Sequence, residues 1–168
     1  MGDVFKEQLV KAKRSKEDSK NRILMMIGAV VISLITIIII PALGVLVSIA
    51  AAIGCMYGMR YFDKEYEYSL TNNELDIDII YSQQIRKEFY AVDIKKISLM
   101  ASINDYRHKA EIEQATKVVD ASDGQETPAT YAIIYPNEGQ NVKVLFTPNE
   151  EMVTLIYKQA PHKVHKMR

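Results

Sequence analysis

Residues Ile23 to Met59 read ILMMIGAVVISLITIIIIPALGVLVSIAAAIGCMYGM, without one Asp, Glu, Lys, Arg, His, Asn or Gln. Crossing the hydrocarbon layer of a bilayer takes ~20 apolar residues as a helix, and globular helices commonly end sooner. A run this long predicts contact with lipid. As one helix it would rise about 55 Å at ~1.5 Å per residue, almost twice the ~30 Å hydrocarbon thickness, so two helices fit better. Pro41 lies near the middle, where it lacks a backbone donor and disfavours helix at Ile40. Gly44 follows and eases a tight reversal. The segment 23–62 is therefore expected to be a helical hairpin with arms 23–40 and 42–62. Tyr57, Tyr61 and Phe62 would sit in the interfacial aromatic belt.

The flanks set the orientation. Lys6, Lys11, Lys13, Arg14, Lys16, Lys20 and Arg22 precede the first arm, Arg60 and Lys64 follow the second, and the central turn has no Lys or Arg. By the positive-inside tendency both termini are expected in the cytoplasm, with residues 1–22 a basic leader and the chain a multi-pass protein of the cell membrane. A cleaved signal peptide would need a shorter apolar region and a small-residue cleavage site. Ala52 to Cys55 resembles a degenerate lipobox, but apolar Met56 and Tyr57 continue the run past it. Gly2 fails the myristoylation pattern because position 6 is Lys6.

Lys plus Arg and Asp plus Glu both number 21, so charge gives no reason to propose a nucleic-acid partner. Cys55 is the only cysteine and lies inside the apolar run, which excludes a disulfide framework and a cysteine-based metal site. Ala50, Gly54 and Gly58 recur on one helical face and would let another backbone approach closely. Packing between the two arms is the plainer reading of this face, and homodimerisation the sharper one.

After Lys64 the hydrophobic period changes to two. Tyr66, Tyr68 and Leu70 alternate with polar residues, Asn72-Asn73 tolerates positive φ, and Leu75, Ile77 and Ile79 alternate with Glu74, Asp76 and Asp78, which predicts a hairpin. Asp76 and Asp78 share its solvent face, with no His or third carboxylate placed to join them. Further strands are expected near 85–92, 94–101, 116–121, 130–135 and 142–146, with turns at Ser122-Asp123-Gly124 and Asn137-Glu138-Gly139. The stretch 104–115 favours helix by composition but lacks an apolar stripe. Thr147-Pro148-Asn149-Glu150 combines an N-cap, a proline at the first helical position and a capping-box Glu, so a helix starts there. Met152, Leu155, Ile156 and Gln159 would share one face, and Pro161 ends the element.

The fold class is therefore α+β: a transmembrane hairpin, then over 63–161 seven short strands and a C-terminal capping helix in the order of a pleckstrin-homology-like barrel, then a basic tail over 162–168. This order, with the stretches Glu67 to Asp78 and Val144 to Glu150, resembles a bacterial family of two-span membrane proteins with a pleckstrin-homology-like cytoplasmic domain. The resemblance covers nearly the whole chain and implies fold and topology; no functional residues come with it.

For function, the expectation is a membrane-tethered, non-catalytic interaction module held in the bilayer beside a membrane-protein partner, with no cofactor. The alternative is a sensor of anionic lipid headgroups. Eukaryotic domains of the same fold bind phosphoinositides through basic residues around the first hairpin, where this chain has Thr71-Asn72-Asn73-Glu74. Arg86, Lys87, Lys95 and Lys96, or Arg107-His108-Lys109, are then the candidate lipid contacts. An enzyme is disfavoured: the histidines are His108, His162 and His165, and no nucleophile, acid/base pair or metal set is evident. His162-x-x-His165 has helical metal-ligand spacing but follows Pro161 and lacks a third ligand.

Overall fold

The computed structural model describes residues 4–13, 16–137 and 139–166, so Gly2, Arg14, Glu138 and the last two residues of the basic tail lie outside it. The chain forms two compact units, one comprising Arg14–Lys64 with Tyr81–Ile85 and the other the remaining residues.

The first unit is the helical hairpin. Helix α1 spans Lys16–Ile39 and α2 spans Pro41–Met59, continued by one 3-10 turn at Arg60–Phe62. Both are long and apolar enough to cross a membrane. Ile40 leaves helical geometry at φ −139°, ψ 86°, and Pro41 takes the first helical position of α2, where its missing N–H costs nothing. Gly44 is buried, and a Cβ there would lie 2.4 Å from the Ile37 Cα, so only glycine lets the arms meet at the reversal. Near the other end Gly58 faces Met25, whose sulfur would lie 2.7 Å from an added Cβ. The hydroxyls of Ser33, Thr36 and Ser48 donate to carbonyls four residues back, at 2.8, 2.9 and 2.7 Å. That satisfies them within their own helices.

The second unit contains two sheets. One has the order β1-β2-β3-β4 and is formed by Phe5–Lys11, Lys64–Thr71, Glu74–Tyr81 and Ile85–Asp93. The other has the order β6-β8-β7-β5-β9 and is formed by β5 Leu99–Ser102, β6 Lys117–Ala121, β7 Tyr131–Asn137, β8 Gln140–Phe146 and β9 Val164–His165. In this second sheet β6 runs parallel to β8 and β9 parallel to β5, while β7 is antiparallel to both its neighbours. The seven expected strands are all present, but they do not close into one barrel. The strand expected over 94–101 is shortened, because Ile94 and Ile97 bury their side chains from a turn.

The basic leader expected over 1–22 is divided. Its first part is β1, antiparallel to β2 over seven residue pairs from Phe5↔Thr71 to Lys11↔Glu65, and its last part is the first turns of α1. The helical hairpin is thus inserted between two neighbouring strands of one sheet. It also follows that Thr71 to Glu74 is the second strand connection, not the first. Asn72 there adopts φ 54°, the left-handed conformation expected of the turn. The basic tail expected over 162–168 is likewise not free, since Val164 is buried in β9.

The core lies between the sheets and under a C-terminal helix. Tyr68, Leu70, Leu75, Ile77, Met100, Ile133, Val144 and Phe146 are buried from the strands. Tyr68 ties the two sheets together: its hydroxyl donates to the Ala121 carbonyl at 2.5 Å and accepts from the Thr147 N–H at 3.1 Å. Burial pushes this phenol well above its ordinary pKa. The short helix α3, Lys109–Glu113, forms where composition alone was ambiguous, because Ile112 packs into a second cluster with Leu99, Ala101, Ala132 and Ile134.

Helix α4, Glu150–Gln159, starts two residues later than a Thr147 cap would place it. Asn149 is the cap, its side-chain oxygen accepting from the Met152 N–H at 2.8 Å, and Pro148 stands before it. The Thr147 hydroxyl instead accepts from the Asp123 N–H at 3.1 Å. The buried face is also turned: Met152, Val153 and Ile156 are buried, whereas Leu155 is half-buried.

Candidate functional site

The residues singled out from the sequence do not form one site. On α2, a Cβ added at Gly58 would meet Met25 of α1, whereas one added at Gly54 would meet nothing within 4 Å, and Ala50 is exposed. Arg86 is held by two carboxylates, Asp78 at 2.6 Å and Glu67 at 3.1 Å, and these partners raise its pKa further. Lys96 pairs with Asp93 at 3.3 Å, and the Lys95 carbonyl accepts from the Lys163 ammonium at 2.7 Å. Arg86 and Lys87 lie near the start of β4, while Lys95 and Lys96 lie in the turn beyond its end, with roughly 20 Å of strand between. His162 is exposed in the turn before β9, and His165 stacks its ring on that of His108, with centroids 4.1 Å apart. No three His, Cys, Asp or Glu side chains gather in a metal-binding arrangement among the described residues.

A different region gathers recognition chemistry. An open cleft of about 700 Å³ is lined by the loop after β5, the end of α4 and strand β9, including Asn104, Tyr106, Arg107, Tyr157, His165 and Lys166. The loop is built to present Tyr106. The Ser102 hydroxyl donates to the Pro128 carbonyl at 2.9 Å and accepts from the Asn104 N–H at 3.3 Å. The Asp105 carboxylate then accepts from the Arg107 N–H at 3.1 Å and from its guanidinium at 2.9 and 2.7 Å. These bonds close a turn around Tyr106 and leave its ring 84 % exposed, the most exposed large hydrophobic side chain among the described residues. A rigid, exposed aromatic on a tied loop is the kind of group that anchors a partner.

Electrostatics give the cleft its character. Arg107 holds the Asp105 carboxyl down at about 2, so both stay charged at neutral pH. Lys166 lies 4.6 Å from the Tyr157 ring centre and donates to the Thr154 hydroxyl at 3.0 Å. Burial, helped by His108 and Arg107, lowers the His165 pKa below its ordinary value. The cleft thus offers an aromatic platform, two cations and an imidazole, a set suited to binding.

Sequence reading reached this place only through Arg107 and His165. Tyr106 carried a legible cue, an aromatic in the polar turn Asn104-Asp105-Tyr106-Arg107. Tyr157 and Lys166 carried none, because only the return of the tail as β9 brings them beside that loop.

No curated protein and no solved structure matches this chain. The family model described as Bacterial PH-like domain (DUF6106) matches residues 2–166. Nearly the whole chain is covered, from β1 through the hairpin to β9, and the protein belongs to this bacterial PH-like family.

Proposed function

We propose that the protein is a membrane-tethered recognition module whose hairpin crosses the bilayer twice and whose folded domain, in the cytoplasm, captures a segment of a membrane-protein partner around Tyr106. PH-like domains are generally non-catalytic interaction modules. The observation that carries the reading is the pairing of β1 with β2 across the hairpin insertion. A hydrogen-bonded sheet cannot straddle a bilayer, so both ends of the hairpin leave the membrane on one side. The lysines and arginines near those ends, Lys20, Arg22, Arg60 and Lys64, favour the cytoplasmic side.

Single cysteines placed at Lys13 and at Gln140, in a Cys55→Ser background, test the topology. Neither is expected to react with an impermeant maleimide added to intact cells, and both should react after permeabilisation. Labelling of either from outside would contradict the placement of the domain.

The binding reading is tested by replacing Tyr106 with a photoreactive amino acid in native membranes and identifying the cross-linked protein. Tyr106→Ala should then reduce co-purification of that protein about tenfold, equivalent to ~1.4 kcal/mol. The domain's own stability should change by less than ~0.5 kcal/mol, since the ring is exposed. The lipid-sensor alternative is weaker because Arg86 and Lys96 are engaged by carboxylates. Headgroup-selective binding to anionic liposomes that survives ~0.15 M salt would put it first.

A further inference from the structure

We infer that the outer edge of β4 is a self-association surface, where the strand pairs antiparallel with β4 of a second copy to join two four-stranded sheets into one. Strand β4 ends its sheet, with β3 as its only neighbour in the strand order. Its first five residues, Ile85 to Phe89, are all exposed, although they alternate between the two faces of the sheet. Long exposed edge strands are templates for pairing, and proteins usually shorten, bulge or cover them.

The faces can be assigned. Arg86 bonds Asp78 and Glu67, which alternate with buried Ile77, Ile79, Tyr66 and Tyr68, so Arg86 points to the solvent side, and by the two-residue period so does Glu88. Phe89 stacks on buried Tyr66 with ring centres 5.6 Å apart, so Phe89, Lys87 and Ile85 point to the other side. A two-fold axis normal to the sheet keeps each face continuous between copies, which requires some residue to lie opposite itself.

Centring the axis on Lys87 sets Arg86 opposite Glu88 of the partner, twice, on the solvent face, where Nε and Nη1 hold Asp78 and Glu67 and Nη2 is left for the partner's carboxylate. It also sets Ile85 opposite Phe89 of the partner, twice, on the other. Opposite charges and an aliphatic–aromatic pair are favourable cross-strand neighbours. Centring on Glu88 or Phe89 loses the ion pairs, and the Glu88 register also opposes two carboxylates. The cost of the Lys87 register is one lysine facing its copy. A lysine at an edge deters indiscriminate strand addition. Tethering by the hairpin confines copies to one surface and raises their effective concentration.

The test uses the full chain in isolated native membranes, with Cys55→Ser removing the only native cysteine. Lys87→Cys should oxidise largely to a disulfide-linked homodimer, because residues opposite each other across such a pair have Cβ atoms ~4.5–5.5 Å apart. Gln140→Cys, exposed on β8, measures random collision and should cross-link at most one-fifth as much. Adding Glu88→Lys to Lys87→Cys should cut the dimer several-fold while leaving the thermal melting of the protein unchanged, since Glu88 is exposed. The inference is overturned if Lys87→Cys cross-links no more than the control, if its main product is a disulfide with another protein, or if Phe89→Cys cross-links while Lys87→Cys does not.

Discussion

Joining Lys13 to Asp63 through a Gly/Ser linker of about six residues, in place of residues 14–62, is expected to give a soluble, cooperatively folded domain. A chain beginning at Tyr66 should instead fail to fold or aggregate. The reason is β1. Lys11 and Glu65 are register partners, so the chain enters and leaves the hairpin from adjacent strands a few ångströms apart, a gap that a short linker spans at small entropic cost.

Starting at Tyr66 removes the strand itself, with its seven paired residues and the contacts it carries. The Gln8 side chain donates to the Thr147 carbonyl at 3.0 Å and accepts from the Asn149 N–H at 2.8 Å, bracing the start of α4. The Lys13 N–H donates to the Asp123 carbonyl at 2.7 Å, and the Asn72 N–H to the Val4 carbonyl at 2.7 Å. At ~0.5–1.5 kcal/mol net per hydrogen bond, the loss consumes most of the ~5–15 kcal/mol by which a domain is stable. Circular dichroism and urea titration of the two proteins decide it. Equal stability would show that β1 contributes nothing to the fold.

In the linker-joined domain, Met152→Ala and Ile156→Ala are each expected to cost about 2–5 kcal/mol, because both side chains are fully buried. Leu155→Ala should cost about 1 kcal/mol, since Leu155 is only half-buried and part of its surface stays in water in either state. Asn149→Ala should cost about 1 kcal/mol by leaving the Met152 N–H without its cap. Urea midpoints at constant slope measure all four. If Leu155→Ala proved the most damaging, the helix would present its other edge to the sheets.

These two predictions rest on features the sequence revealed unequally. The hairpin was legible because its evidence is local: an uncharged run twice the length of one span, broken at Pro41. The turn at Asn72-Asn73 and the strands beside it were legible because each has one clean apolar face, Tyr66, Tyr68 and Leu70 against Leu75, Ile77 and Ile79. The start of α4 was found to within two residues, since Thr147 and Asn149 are both capping residues and only their partners distinguish them. Asp123 engages the first, and the helix's own Met152 N–H the second.

Strand β1 was not legible, because both its faces are mixed. Phe5, Glu7, Leu9 and Lys11 lie on one side, and Lys6, Gln8 and Val10 on the other, so no periodicity separates it from a basic leader. What makes it a strand is β2, which arrives only after the whole hairpin has been made. Strand β9 has two residues and no period to read; β5 supplies its partner. The same limit hid the cleft, whose Tyr106 and Lys166 come from segments sixty residues apart. The sequence by itself determined where the two helices long and apolar enough to cross a membrane lie and which segments extend or coil, since those follow from neighbours a few residues away. The tertiary structure alone decided that the hairpin interrupts one domain, that the strands form two sheets, that β4 ends one of them and that Tyr106 stays exposed, because these depend on pairings between distant segments.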